Sequence, residues 1–156
     1  MSLVSKQWEA VEFQPEYDDS AQWSAVLNTS QLSPRQKSLI KQLVEFSKLP
    51  LDWDSYGSPP LSAVAVELAQ DVIYCLDLDF FPLPNIAPIS GGGVQFEWHI
   101  ASRSVELDIG DVGVVSYLKT ENNNPLEEGV IDEALPSRLR SLIMWTVSGT
   151  PVEEAA

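Results

Sequence analysis

The sequence predicts an α+β domain: two helices, then a four-stranded antiparallel meander packed on helices, then a C-terminal helix. Three observations predict it. From Val94 to Ile100 the side chains alternate strictly, with Val94, Phe96, Trp98 and Ile100 apolar and Gln95, Glu97 and His99 polar, as a half-buried strand requires. Short turn signals follow around Ser102-Arg103 and at Gly110-Asp111, so the neighbouring strands are joined by hairpins. Three further stretches, after Ser33, after Ser62 and from Leu135, carry apolar residues at helical spacing.

Taken in order, residues 1–31 mix Glu9, Glu12, Glu16, Asp18 and Asp19 with isolated Trp8, Phe13, Tyr17 and Trp23, and show no sustained period. They are expected to form an irregular acidic and aromatic arm. Ser33-Pro34-Arg35-Gln36 then reads as a helix start, with Ser at the N-cap, Pro at the first helical position and Gln completing a capping box. Leu39, Ile40, Leu43, Val44 and Phe46 supply its apolar stripe, and Pro50 ends it. The run from Leu51 to Pro60 is a loop by its Gly, Pro, Asp and Ser content. Ser62 caps the second helix. Its expected apolar stripe is Val64, Leu68, Val72 and Leu76 with Ala65, Ala69 and Cys75 alongside, and Glu67, Gln70, Asp71 and Tyr74 occupy the opposite face.

Ile86 to Ile89 reads as a strand confined to a sheet edge, because Pro88 cannot donate to a ladder. The turns then predict a register. Ile100 pairs with Val105 and Trp98 with Leu107; Ile109 pairs with Val112, Leu107 with Val114 and Val105 with Ser116. The polar face so defined carries Gln95, Glu97, His99, Ser104, Glu106, Asp108, Tyr117 and Lys119. Asn122-Asn123-Asn124-Pro125 is read as the end of the sheet. Leu135, Leu139, Leu142, Ile143 and Thr146 mark the last helix, stopped by Gly149 and Pro151. The domain plan is therefore an arm at 1–31, a single α+β domain at 32–149 and a frayed end at 150–156.

Composition narrows the function classes. A chain of 156 residues fits one domain that buries roughly two-thirds of its unfolded surface. The single cysteine, Cys75, excludes an intrachain disulfide. No signal-peptide or membrane-span pattern is present, so a cytoplasmic protein with no membrane partner is expected. Nine Lys and Arg against 23 Asp and Glu give a formal charge of -14, which repels phosphate backbones and attracts cationic surfaces. No direct nucleic-acid binding is expected, and a basic protein partner is. From Leu49 to Ser102 there is no Lys or Arg, while Asp52, Asp54, Glu67 and Asp71 all lie there.

The chemistry-bearing residues are few. His99 is the only histidine, and no serine or cysteine sits in a nucleophile motif, so no catalytic residue is assigned. In the expected register Glu97 faces Asp108 and His99 faces Glu106, a carboxylate and imidazole grouping of the type that could serve a metal-dependent enzyme. No cofactor or metal ligand is assigned from it. The triple glycine Gly91-Gly92-Gly93 precedes a strand and lacks the strand–helix context and lysine of a phosphate loop; it fits a hairpin turn or a close backbone approach. The loop residues Trp53 and Tyr56 sit among acids, where a partner's Arg or Lys could stack while pairing Asp52 or Asp54. The expected partner-binding set is thus Asp52, Trp53, Asp54, Tyr56, Glu67 and Asp71, in a small acidic interaction protein of antitoxin-like, immunity-like or adaptor kind. A small-molecule or carbohydrate-binding module using the Trp53–Tyr56 loop or the sheet face is the alternative.

Two of these stretches also carry a resemblance. Trp53-Asp54-Ser55-Tyr56-Gly57-x-x-Pro60, followed by a helix and then Ala87-Pro88-x-x-Gly91-Gly92-Gly93-Val94-Gln95-x-Glu97-Trp98, resembles a set of small bacterial proteins sharing a Trp-Asp-x-Tyr-Gly motif and a Gly-Gly-(Val/Ile)-Gln-x-Glu-Trp strand. The likeness spans residues 50 to 120. It implies a bacterial origin and one compact domain, and it brings no activity, cofactor or site residue with it.

Overall fold

The computed structural model of the chain describes residues 32–76 and 81–149. The expected arm at 1–31 and end at 150–156 lie outside the described residues. Within them the order is α1 (Pro34–Ser47), α2 (Ala63–Cys75), β1 (Asn85–Ile89), β2 (Gly93–Ile100), β3 (Arg103–Ile109), β4 (Val115–Glu121), β5 (Asn124–Val130) and α3 (Leu135–Ser148). The strands form one antiparallel meander in the spatial order β1-β2-β3-β4-β5. This is the α+β class expected, with five strands in place of four.

The capping box of α1 is formed as read. Ser33 Oγ accepts the Gln36 N–H at 3.1 Å, and Gln36 Oε1 accepts the Ser33 N–H at 3.0 Å. Gln36 does more, because its Nε2 donates to the carbonyls of Ile73 and Leu76 at 2.9 and 3.0 Å. One buried amide therefore ties the start of α1 to the end of α2, where the Ile73 carbonyl also accepts the Leu76 N–H. In α2 Ser62 Oγ accepts the Ala65 N–H at 3.0 Å, as expected of the cap. Its buried stripe keeps part of the expected one and shifts the rest. Ala65, Ala69, Val72 and Leu76 face the core as the spacing predicts, but Ile73 joins them, Val64 is exposed, and Asp71 is fully buried although the spacing sets it on the opposite face. The small alanines let α2 approach its neighbours closely, and this packing outweighs the larger Val64 and Leu68. In α3 the buried residues are Leu135, Leu139, Leu142, Ile143 and Thr146, as the spacing predicts.

Both hairpin registers are corrected. Trp98 pairs with Val105 and Ile100 with Arg103, two places from expectation, because the turn is Ala101-Ser102 with Ala101 at φ 54°. A two-residue hairpin needs a positive φ at its first residue, and an alanine there gives no sequence signal of it. Between β3 and β4 the expected two-residue turn is a five-residue loop, and Ile109 pairs with Val115. The loop reaches α2: Asp111 O accepts the Ser62 hydroxyl at 2.7 Å, and Gly113, at φ 97°, lies where a Cβ would touch Val64. Three places is an odd shift, so every side chain of β4 changes face. Tyr117 and Lys119 turn toward the helices and Leu118 turns away.

The other corrected segment is Asn122–Pro125. Asn122 and Asn123, at φ 53° and 65°, make a hairpin turn instead of ending the sheet, and β5 follows as an edge strand. Tyr117 lies directly across from Gly129, where a Cβ would meet its ring, and its hydroxyl donates to Glu127 Oε2 at 2.5 Å. The core lies between the helices and the inner sheet face, with Val94, Phe96, Trp98, Val105, Leu107 and Ile109 at its centre. Arg103 fastens the far end. Its guanidinium stacks 4.5 Å from the Trp145 ring, donates to Trp145 O at 2.8 Å and pairs with Glu121 at 3.2 Å.

Candidate functional site

The Asp52–Ser58 loop is built by its two aspartates. Asp52 Oδ1 accepts the Gly57 N–H at 2.7 Å. Asp54 Oδ1 accepts the N–H groups of Tyr56 and Ser58, while Oδ2 accepts the hydroxyls of Ser58 and Ser90 at 2.5 and 2.6 Å. These bonds, led by the two serine hydroxyls, hold the Asp54 carboxyl well below the usual carboxylate range. The Ser58 hydroxyl in turn accepts the Gly91 N–H at 3.3 Å, and Gly92 O accepts the Ser62 N–H at 3.0 Å. A Cβ on Gly92 would lie 3.2 Å from Pro60 O, and one on Gly93 would run into the Ile109 carbonyl. The triple glycine is therefore the close backbone approach that its context suggested. The two sequence stretches that carry the resemblance form one junction, and Asp54 is its centre.

That placement redistributes the expected partner-binding set. Asp52 and Asp54 have carboxylate oxygens engaged inside the loop, and the half-buried Trp53 donates its indole N–H to Pro59 O at 3.1 Å. Tyr56 projects from the loop at 90% exposure, and Glu67 is exposed on α2. Asp71 is in the core, so the six residues do not share one surface. Burial, followed by the neighbouring Asp71 charge, pushes the Cys75 thiol up to about 12, which leaves it protonated and unreactive at neutral pH.

The outer face of the sheet is the surface that charge singles out. In the observed register Glu97 lies directly across from Glu106, and Gln95 across from Asp108. Gln95 Nε2 donates to Asp108 Oδ1 at 3.0 Å and reaches Glu106 Oε1 at 3.5 Å. Leu118, across from Glu106 on β4, is followed on β5 by the exposed Glu128. Four carboxylates thus share a face whose strand positions hold no Lys or Arg; Arg103 and Lys119 lie on the other face, both over Trp145. A shallow groove of about 350 Å³ runs between Glu106, Asp108, Ser116, Leu118, Glu128 and Val130. His99 is exposed and lies across from Ser104, not Glu106, so the expected imidazole–carboxylate pairing is not formed. Among the described residues no group of three His, Cys, Asp or Glu side chains is arranged to hold a metal ion.

Partial burial, then the charges of Asp108 and Glu97, raise the Glu106 carboxyl above its ordinary value. Its charged form is penalised in the folded state, so this residue's contribution lowers stability as pH rises from 4.5 through its folded value. Glu106→Gln is expected to raise stability at neutral pH by up to about 1 kcal/mol, the scale of an opposed like-charge pair. Urea unfolding measures it; an unchanged or lower midpoint would show the carboxylates too well screened to repel.

Glu128 and the groove are not legible in the sequence, because Asn122-Asn123-Asn124-Pro125 has the composition of a sheet end. The one signal is that Asn-Asn accepts the positive φ that a two-residue hairpin needs. No helix among the described residues is long and apolar enough to cross a membrane. No protein-family model matches the chain, and no curated protein or solved structure does either.

Proposed function

We propose that this chain is a protein-interaction protein, of antitoxin-like, immunity-like or adaptor kind, whose acidic outer sheet face engages a basic partner protein. The observation that carries this reading is the face itself. Glu97, Glu106, Asp108 and Glu128 lie together on strand positions without Lys or Arg, and the helices pack on the opposite side of the sheet. Opposed like charges are tolerated at a cost that a cationic partner would remove. The exposed Val130 and half-buried Leu118 between them provide apolar contact of the kind interface centres use.

The test is retention of host proteins on the tagged chain at low salt, compared with a Glu97→Gln/Glu106→Gln/Asp108→Asn/Glu128→Gln variant. One basic protein, held stoichiometrically by the parent and lost from the variant, supports the reading. Equal retention by both chains counts against it. The alternative, a small-molecule or carbohydrate-binding module, has one observation in its favour: the Tyr56 ring stands out from a loop fixed by the Asp52 and Asp54 bonds. Such a module would bind sugars undiminished in the face variant and lose them on Tyr56→Ala.

A further inference from the structure

The two edges of the sheet differ. At one edge β1 contains Pro88, which has no N–H, and α1 packs against it. At the other, β5 has no strand beyond it among the described residues. The Ile131 N–H donates to Val115 O at 2.8 Å, which fixes the alternation of the β4–β5 ladder. Gly129 and Glu127 bond across to Tyr117 and Lys119, whereas the N–H and C=O of Glu128 and Val130 point away from the sheet. Their side chains lie on the acidic outer face. Val130 and the nearby Leu126 are each 56% exposed, an uncommon pairing of open main chain and apolar side chains on an edge.

We infer that β5 is a strand-addition site: an extended segment of the basic partner pairs with the main chain of Glu128 and Val130. On the outer face it sets a Lys or Arg beside Glu128 and an apolar side chain beside Val130. This rests on the basic-partner reading and adds the mode of binding. Charge selects the occupant. A second copy of this chain pairing antiparallel about Glu128 would oppose two glutamates, and copies with a formal charge of -14 repel each other. A segment alternating basic and apolar residues on one face meets complementary groups at each step.

The full chain, labelled with ¹⁵N, is titrated at low salt with the peptide Thr-Lys-Thr-Val-Thr-Lys-Thr-Val-Thr and with its two forms N-methylated on alternate amides. One set of amides faces β5 and the other faces solvent. The expected result is slowed exchange of the Glu128 and Val130 amides on binding, with one methylated form weaker by about tenfold and the other unchanged. If both methylated forms bind like the parent, the acidic-face reading survives and strand addition is overturned. Absence of binding by all three overturns both. Protection of these amides before peptide is added also overturns the inference: the occupant would then be the chain's own terminal segments if protection is independent of concentration, and a second copy if it grows with concentration.

Discussion

Gly93→Ala is expected to destabilise the protein by about 3 kcal/mol, the upper range for forcing extra volume into a packed site. In a chain of this size that lowers Tm by roughly 6–12 °C. A Cβ at this position would run into the Ile109 carbonyl and press on Ile89, and backbone on the neighbouring strand cannot step aside as a flexible side chain can. Gly91→Ala is the control. It meets open space, so only its left-handed backbone, at φ 97°, opposes the change, at about 1 kcal/mol. Thermal unfolding followed by circular dichroism compares the two. The pair also tests the register, because Gly93 approaches Ile109 only if Val94 pairs with Ile109. A Gly93→Ala variant as stable as Gly91→Ala would reject that pairing.

The second large effect is expected at Gln36. Gln36→Glu keeps the acceptor that completes the capping box and removes the two hydrogen bonds to Ile73 and Leu76. It sets a buried carboxylate against two carbonyl oxygens, at a cost of about 3 kcal/mol at neutral pH. The introduced carboxyl has its pKa raised in the folded state by burial and by those oxygens. Stability of the variant therefore falls as pH rises through that folded value, and its deficit shrinks as pH drops toward the unfolded value near 4.3, where the acid can donate again. Urea unfolding from about pH 4 to 8 measures this. A deficit that stays constant with pH would mean that the carbonyls are not the partners of this side chain.

These two residues show what the sequence made legible. Ser33 and Gln36 announced the start of α1 through local hydrogen-bond logic, and the same kind of logic placed the cap at Ser62 and the stripe of α3. The strict alternation of β2 gave the correct inner face, with Phe96 and Trp98 in the core. What local logic could not supply was the second bond set of Gln36, made 37 and 40 residues away. Turn positions failed for the same reason. Gly110-Asp111 has the composition of a tight turn, but Asp111 O receives the Ser62 hydroxyl, and that tertiary contact lengthens the loop and reverses β4.

The candidate site was read unevenly. Glu97, Glu106 and Asp108 were placed together on the outer face from periodicity alone, although Glu97 was paired with the wrong carboxylate. Asp54 looked like a surface acid because composition cannot reveal the Ser58 and Ser90 hydroxyls that surround it. Asp71 falls on the polar side of the helical spacing, yet the buried face of α2 extends past Val72 far enough to enclose it, which spacing alone does not reveal. Glu128 was hidden by a proline that an edge strand tolerates.

The measurement that tests the central claim most directly is the salt dependence of affinity for the recovered basic partner, compared across three chains. These are the parent, the variant neutralised at Glu97, Glu106, Asp108 and Glu128, and a variant neutralised at Glu67, Asp111, Asp132 and Glu133. The two variants have the same net charge, so bulk electrostatics affects both alike. The outer-face account predicts that the parent and the second variant bind with similar affinity and lose it as salt rises, while the first binds at least about tenfold more weakly. Equal weakening of the two variants would contradict it and would make the charge a property of the whole surface.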